Sequence, residues 1–223
     1  MKNFLPVLKK CPLFEGIEEN DLLKMLGCLD VRIESFDKKY TVLAEGGKAK
    51  YVGVVLSGRV QVSRIDYFSN RSLLANIGPG ELFGEAFACA EVQELPVTVT
   101  ATEKSEIMLI EARRILHTCS NNCSFHNSLI YNLMKDLAMK TISFHKRLEI
   151  TSRRTTRDKL MAYLSLMAKE KRSSTFEIPF DRQELADYLE VDRSGLSSEI
   201  GKLKKEGIIE ADKKRFTLIE DYI

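Results

Sequence analysis

The stretch from Phe180 to Ile209, FDRQELADYLEVDRSGLSSEIGKLKKEGII, leaves the chain few folds to choose from. Asp181 with Glu184 three residues on is a capping-box pattern, so a helix starts just after Asp181. Leu185, Tyr188 and Leu189 recur at helical spacing and face inward. Ala186 is small where a second helix must cross closely. Glu190-Val191-Asp192 makes the turn, with Val191 as its apolar plug and Asp192 as the next N-cap. A second helix begins at Arg193, buries Leu196, Ile200 and Leu203 as one stripe, and stops at Gly207. Its opposite side shows Arg193, Ser194, Ser197, Ser198 and Lys202. Ile208 to Leu218 alternates loosely around Lys213-Lys214-Arg215, which suits a two-stranded wing with a basic tip. Two short helices with a tight turn, the second basic and polar outside, can set one helix in a DNA major groove. A solvated helical hairpin is the blander alternative, but cap, crossing alanine, plug and stripe agree on one motif.

The residues upstream of this stretch ask what controls that grip. At 223 residues the chain has room for two domains. A hydrophobic content of 44% and a charged content of 30% are ordinary for a globular protein. The net charge of +2 excludes a basic polyelectrolyte, so any DNA binding must be local. Between Arg193 and Thr217 seven Lys/Arg face four Asp/Glu, a local excess of three positive charges. No run of 18 apolar residues is present, and MKNFLPVLKK lacks the apolar core of a signal peptide. Five cysteines without scaffold spacing favour reduced thiols and a cytoplasmic location.

Hydrophobic periodicity divides the chain. Residues 1–29 read as helical, with Leu22, Leu23, Met25 and Leu26 amphipathic and a start near Glu19 or Asn20. From Val31 to Ile110 the period is two, as in Val31/Ile33, Val60/Val62 and Val97/Val99/Ala101. Gly46-Gly47, Ser57-Gly58 and Gly78-Pro79-Gly80 punctuate the strands. This predicts an antiparallel β-barrel or jelly roll over 1–111 with a leading helix. From Ala112 a helical period returns, and Ile130, Leu133, Leu137, Thr141, Phe144 and Leu148 form one apolar stripe. That predicts a long helix over 112–150. Its stripe either pairs with a second copy as a parallel two-helix dimer or packs on its own barrel. Ile150-Thr151-Ser152 marks a hinge, and 151–223 forms the winged helix-turn-helix domain, with a helix at Arg153–Ala168 and a short strand at Phe176–Pro179. The fold class is therefore α+β.

Leading helix, barrel, long helix and winged helix-turn-helix, in this order, resemble the Crp/Fnr family of bacterial transcription regulators over nearly the whole chain. Cys11-Pro12-Leu13-Phe14-Glu15-Gly16 looks like the family's lead-in to the barrel. Gly80-Glu81-Leu82-Phe83-Gly84-Glu85 looks like the start of its phosphate-binding cassette. Arg182-Gln183-Glu184-Leu185-Ala186 with Arg193 looks like its DNA-reading unit. The resemblance implies a homodimer on a palindromic double-stranded operator, a small-molecule effector at the barrel, and RNA polymerase as a candidate contact. It calls for no membrane partner.

The departures narrow this. In cyclic-nucleotide binders of the family the cassette ends in an Arg-Ser pair that holds the cyclic phosphate, and Leu95-Pro96 falls at that place here. Neither side chain supplies the planar, permanently charged fork that phosphate wants. Glu85 remains where the family meets a ribose hydroxyl, and without an arginine neighbour it would repel an anion. The usual cyclic AMP contacts are therefore not expected. Either a pocket persists near Gly84, Glu85, Leu95, Pro96 and Thr141, or it is packed shut with Glu85 as a structural carboxylate. In the reading helix the family often carries Glu after the first Arg and Arg four residues later. Ser194 and Ser198 hold those places, while Arg193 can still pair bidentately with guanine. Glu190 stands where the family's turn often has Gly, and Gly195 costs the helix about 1 kcal/mol against Ala. Arg182 and Gln183 are expected at phosphates, and Lys202 and the wing basics add salt-sensitive affinity.

Cys11 and Cys28 are too few to hold a four-thiolate iron–sulfur cluster, and Cys11-Pro12 is more simply a helix-end dipeptide than a haem site. Cys119, Cys123 and His126 would share one helical face, as zinc or a redox switch would want, unless Asn121-Asn122 breaks the helix. Neither a cofactor nor a metal site is assigned. For catalysis only His117 and Cys119 offer a base and nucleophile, and no Gly-rich nucleotide loop or serine elbow occurs. A ligand-binding scaffold without DNA activity is the other alternative.

Overall fold

The computed structural model describes residues 2–69, 71–117 and 124–219. The chain divides into two compact units, one drawn from 1–70 and 74–141, the other from 71–73 and 142–223.

In the first unit the expected leading helix is broken. A 3-10 turn at Lys2–Phe4 runs into α1 (Leu5–Leu8), a second turn follows at Pro12–Phe14, and α2 spans Glu19–Cys28. Cys11 is extended because the ring of Pro12 disfavours helical backbone before it. Eight strands then follow among the described residues: β1 (Arg32–Phe36), β2 (Thr41–Leu43), β3 (Tyr51–Ser57), β4 (Val60–Ile65), β5 (Arg71–Ile77), β6 (Leu82–Phe83), β7 (Thr98–Ala101) and β8 (Ser105–Glu111), with the short helix α3 (Glu85–Cys89) between β6 and β7. They build two antiparallel sheets, ordered β1-β8-β3-β6 and β2-β7-β4-β5, which is the jelly roll that the two-residue period predicted. Phe36, Val55, Val60, Ile77, Phe83, Val99, Ala101, Ile107 and Leu109 fill one core. Val52, Val54, Leu56, Met108 and Ile110 point the other way, into a second core with Leu8, Leu13, Phe14, Leu22, Leu26, Leu129 and Leu133. β3 is thus covered on both faces, which is why YVGVVLS reads as an unbroken apolar run rather than an alternation. Gly53 in that strand is opposite Phe83, and a Cβ there would fall 2.1 Å from the Phe83 ring. The glycine is what lets β6, and the cassette behind it, lie against β3.

The helical period after Ala112 is not one helix. α4 (Ala112–Leu116) ends at His117, which is extended, and α5 runs from Ser124 to Thr151. The expected apolar stripe also divides. Leu133 is buried, Leu137 is half-buried against the barrel core and Ile130 is half-buried, whereas Thr141, Phe144 and Leu148 are exposed. At 100° per residue the stripe lies along the edge between two sides of the helix. The barrel side carries His126, Leu129, Asn132 and Leu133, with Asn132 donating to the Leu13 and Glu15 carbonyls at 3.1 and 2.8 Å. A separate row at alternating steps of three and four, Tyr131, Met134, Ala138, Thr141, His145 and Leu148, is exposed throughout.

The second unit holds α6 (Thr156–Lys171), β9 (Thr175–Glu177), α7 (Arg182–Leu189), α8 (Arg193–Lys205), β10 (Ile209–Asp212) and β11 (Arg215–Leu218). α6 starts three residues later than the expected Arg153 because Thr155 is its N-cap, its hydroxyl accepting from the Asp158 N–H. The wing has three strands, β10-β11-β9, with Phe216 opposite Phe176. Leu160, Leu164, Leu185, Leu189, Leu196, Leu203 and Phe216 are fully buried between the helices and this sheet. Each such side chain stabilises the unit by roughly 1.5–3 kcal/mol relative to exposure.

Candidate nucleic-acid interface

Local chemistry fixes both helices of the reading unit. Glu184 N–H donates to Asp181 Oδ1 and Asp181 N–H donates to Glu184 Oε2, each at 2.8 Å, completing the capping box. α7 ends on Glu190, which has φ of +54°, and Val191 N–H returns to the Ala186 carbonyl at 3.1 Å. Lys159 Nζ donates to the Leu189 and Glu190 carbonyls at 3.3 and 3.2 Å, so a cation sits on the negative end of α7. α8 starts on Asp192, whose Oδ2 accepts from Gly195 N–H at 2.8 Å. It ends in a Schellman arrangement, with Ile208 N–H on the Leu203 carbonyl and Gly207 at φ +71°.

These caps turn α8 so that Leu196, Ile200 and Leu203 are buried while Arg193, Ser194, Ser197, Ser198 and Lys202 are exposed. All five outward residues therefore share one open face. Lys202 Nζ lies 3.1 Å from Glu199. Arg157 of α6 forks onto Glu206 at 3.1 and 2.6 Å and lies 3.6 Å from Glu199. Two of the four acids in the local charge count are thus already paired, and the free surface is more basic than the count suggests. At the start of α7 Gln183 donates to Asp187 at 2.7 Å. Arg182 is half-buried, its guanidinium 5.7 Å over the Phe216 ring, and burial holds its pKa below the usual value.

Arg147, unremarked in the sequence, ties the last turns of α5 to this unit. Its Nη2 donates to the Tyr188 carbonyl at 3.0 Å, and its guanidinium lies 4.4 Å over the Tyr188 ring and 3.9 Å from the Glu190 carboxylate. Burial lowers its pKa, against the pull of Tyr188 and Glu190. Tyr188 in turn stacks on Phe180 at 4.8 Å and tilts against Tyr163 at 5.5 Å. No spacing rule points to Arg147, because its partners come from a helix forty residues on.

In the barrel unit Gly84, at φ +78°, leads into α3 (Glu85–Cys89). Glu85 is 4% exposed, and its Oε1 lies 2.8 Å from Lys140 Nζ. Lys140 also donates to the Leu82 carbonyl at 2.9 Å and lies 3.0 Å from Asp136, its helical neighbour. The expectation that Glu85 stands without a cation and repels anions is corrected: a lysine from α5 neutralises it. Leu95 is buried and exchanges backbone hydrogen bonds with the Gly46-Gly47 loop, Pro96 is exposed, and Thr141 is exposed with its hydroxyl on the Leu137 carbonyl. A cleft of about 590 Å3 on this unit is lined by Lys48, Lys50, Glu91, Gln93, Glu111 and Arg113 among others, and by none of those five effector candidates. His126 is buried with Nε2 3.1 Å from the Ile115 carbonyl, while Cys119 and Cys123 lie outside the described residues. Cys11 is buried, and burial pushes its thiol up to about 12, so it is no ready thiolate ligand. No helix among the described residues is long and apolar enough to cross a membrane.

The family model of the cyclic nucleotide-binding domain matches residues 33–122, and that of the Crp-like helix-turn-helix domain matches residues 158–222. The chain is 25% identical over 137 residues to the potassium channel KAT1 of Oryza sativa subsp. japonica, a stretch covering 61% of this chain but 18% of the channel. It is 21% identical over 197 residues to the transcriptional activator protein FnrL of Cereibacter sphaeroides, covering 84% of this chain and 76% of that one. The solved structure of the c-di-GMP responsive global regulator CLP of Xanthomonas campestris superposes with a TM-score of 0.72 at 18% identity, covering 90% of this chain and 99% of that one. At that identity the likeness is one of fold. The match to the channel spans 61% of the chain, whereas those to the activator and the solved regulator span 84% and 90% of it. With a cyclic-nucleotide-binding-type barrel, a long helix and a Crp-like helix-turn-helix in this order, the chain belongs to the Crp/Fnr family of DNA-binding transcription regulators.

Proposed function

We propose that the protein is a homodimeric, effector-responsive regulator that reads a palindromic operator and is not governed by cyclic AMP through the family's usual contacts. The observation that carries the DNA reading is α8, capped at both ends, its apolar stripe buried and Arg193, Ser194, Ser197, Ser198 and Lys202 open on one face. In this reading Arg193 takes a guanine edge and the serines approach bases or phosphates. Arg182 and Gln183, at the start of α7, meet the backbone. The exposed row Tyr131, Met134, Ala138, Thr141, His145 and Leu148 has the spacing of a two-helix seam and supports a dimer through α5. Residues 1–111 then form the effector barrel, 112–150 the dimerisation segment and 151–223 the reading domain.

Buried Leu95 and exposed Pro96 give a cyclic phosphate no cationic fork, and Glu85 is held by Lys140. An effector bound near Gly84, Glu85, Leu95, Pro96 and Thr141 would compete for that pair and shift the packing of the two α5 helices. The reading heads would turn through the hinge at Ile150 to Arg153 until both reach successive major grooves. Selection from a random duplex pool tests the function. The protein is expected to enrich a two-fold palindrome that Arg193→Ala no longer enriches. Salt-sensitive binding with no enriched sequence, across a panel of candidate effectors, would sink the proposal.

A further inference from the structure

Ser194 is the second residue of α8 and is exposed. Its Oγ donates to Asp192 Oδ2 at 2.5 Å, the same oxygen that accepts the Gly195 N–H at 2.8 Å. A serine hydroxyl has one hydrogen and two lone pairs. Here the hydrogen is committed to the cap, so only lone pairs face outward. Asp192, as a carboxylate, has no hydrogen to offer either. Its charge is compatible with this place because the N-terminal end of α8 is positive. Ser197 and Ser198 have no hydroxyl hydrogen bond of this kind among the described residues, so either can turn to donate or to accept.

We propose that Ser194 is a specificity-determining residue that reads its base by accepting only, selecting an exocyclic amino group in the major groove, cytosine N4 or adenine N6. Guanine O6 and N7 and thymine O4 are themselves acceptors, and lone pairs facing lone pairs are disfavoured. The aspartate cap thereby gives a small hydroxyl a fixed polarity that a free serine lacks. The inference rests on the DNA-reading function proposed above.

The test uses the full chain and the operator it selects, with binding measured by competition among the four base pairs at each half-site position. The position assigned to Ser194 is the one whose preference Ser194→Ala removes. There the unmodified protein is expected to favour C or A on the contacted strand by about 3- to 10-fold, the worth of one net hydrogen bond. Ser194→Ala is expected to flatten that position to within about twofold while leaving the others intact. Asp192→Gly is the sharper variant. Gly is tolerated at an N-cap almost as well as Asp, but it removes the oxygen that holds the Ser194 hydrogen, so the hydroxyl can turn to donate and G or T should become acceptable at that position. Three outcomes overturn the proposal: a preference for G or T in the unmodified protein, a Ser194→Ala loss spread evenly over all sequences, or a C/A preference untouched by Asp192→Gly. Circular dichroism and non-specific DNA affinity matching the unmodified protein establish that both variants are folded. If the unmodified protein enriches no sequence at all, the DNA-reading function itself fails and this assignment falls with it.

Discussion

Glu190 occupies a backbone conformation that suits glycine. It closes α7 at φ +54° and ψ +56°, with the helix turn to Asp192 depending on it. Left-handed backbone costs a side-chain-bearing residue about 1–2 kcal/mol. Glycine avoids that cost but loses about 0.5–1 kcal/mol more chain entropy on folding. The side chain contributes little in return. It is half-exposed and its carboxylate lies 3.9 Å from Arg147, a distance and exposure at which an ion pair is worth about 0–1 kcal/mol. Glu190→Ala removes the pair and keeps the strain, so it should destabilise by a few tenths of a kcal/mol. Glu190→Gly removes both, and the difference between the two variants isolates the backbone, at about 0.5–1 kcal/mol in favour of Gly. For a cooperative unit of this size that is roughly 2–8 °C in Tm. Calorimetry of the full chain, following the transition that includes the winged-helix unit, measures it. Equal melting of the Gly and Ala variants, or a less stable Gly variant, would refute the claim that the turn is strained at Glu190.

Four further outcomes follow from named contacts. Gly195→Ala is expected to stabilise α8 by about 1 kcal/mol, because the added Cβ meets nothing nearer than Asp192 Oδ2 at 3.7 Å; a loss of stability in denaturant titration would contradict it. Lys140→Met strands the Glu85 carboxylate in the barrel and should cost about 3 kcal/mol, most of it recovered by adding Glu85→Gln; no recovery in the double variant would show that the pair is not what Lys140 contributes. The Asp192 carboxyl is held below its usual 3.8 by the Ser194 hydroxyl first and the Gly195 N–H second. The cap's contribution should therefore be complete above pH 3.8 and disappear as pH falls below it. The stability gap between the unmodified protein and Asp192→Ala should close in that direction, and a gap that widens in acid would reverse the sign. Alkylation at mildly alkaline pH, followed by peptide mass spectrometry, should label exposed Cys28 and spare buried Cys11 until the chain unfolds.

Much of the reading unit was legible because its signals are local. Asp181 and Glu184, Asp192, the Leu196-Ile200-Leu203 stripe and Gly207 each act within one turn of helix, and each sits where the sequence places it. The jelly roll followed from a period of two, except at β3, where burial on both faces erases alternation. What stayed hidden is what depends on distant partners. The stripe from Ile130 to Leu148 merges a barrel contact with an exposed row, because periodicity reports an apolar face without saying what covers it. Lys140 meets Glu85 and Arg147 meets Tyr188 across long sequence separations, and no spacing could pair them. The Asp136–Lys140 step of four was the one visible hint of the first. Sequence puts Ser194 on the outer side of its helix but is silent on its hydroxyl, because the bond to Asp192 is a three-dimensional fact.

The proposed function requires a dimer that presents two α8 helices to one face of DNA. Affinity for the selected palindrome, compared with the same half-sites moved apart by half a helical turn (about five base pairs), measures this. If α5 pairs two chains with their heads one turn apart, the shift puts the second half-site on the far side of the duplex. Binding should then fall to that of a single half-site, a loss of about 100-fold or more. Equal affinity for both spacings would contradict the claim, because it would mean that each chain reads its half-site alone.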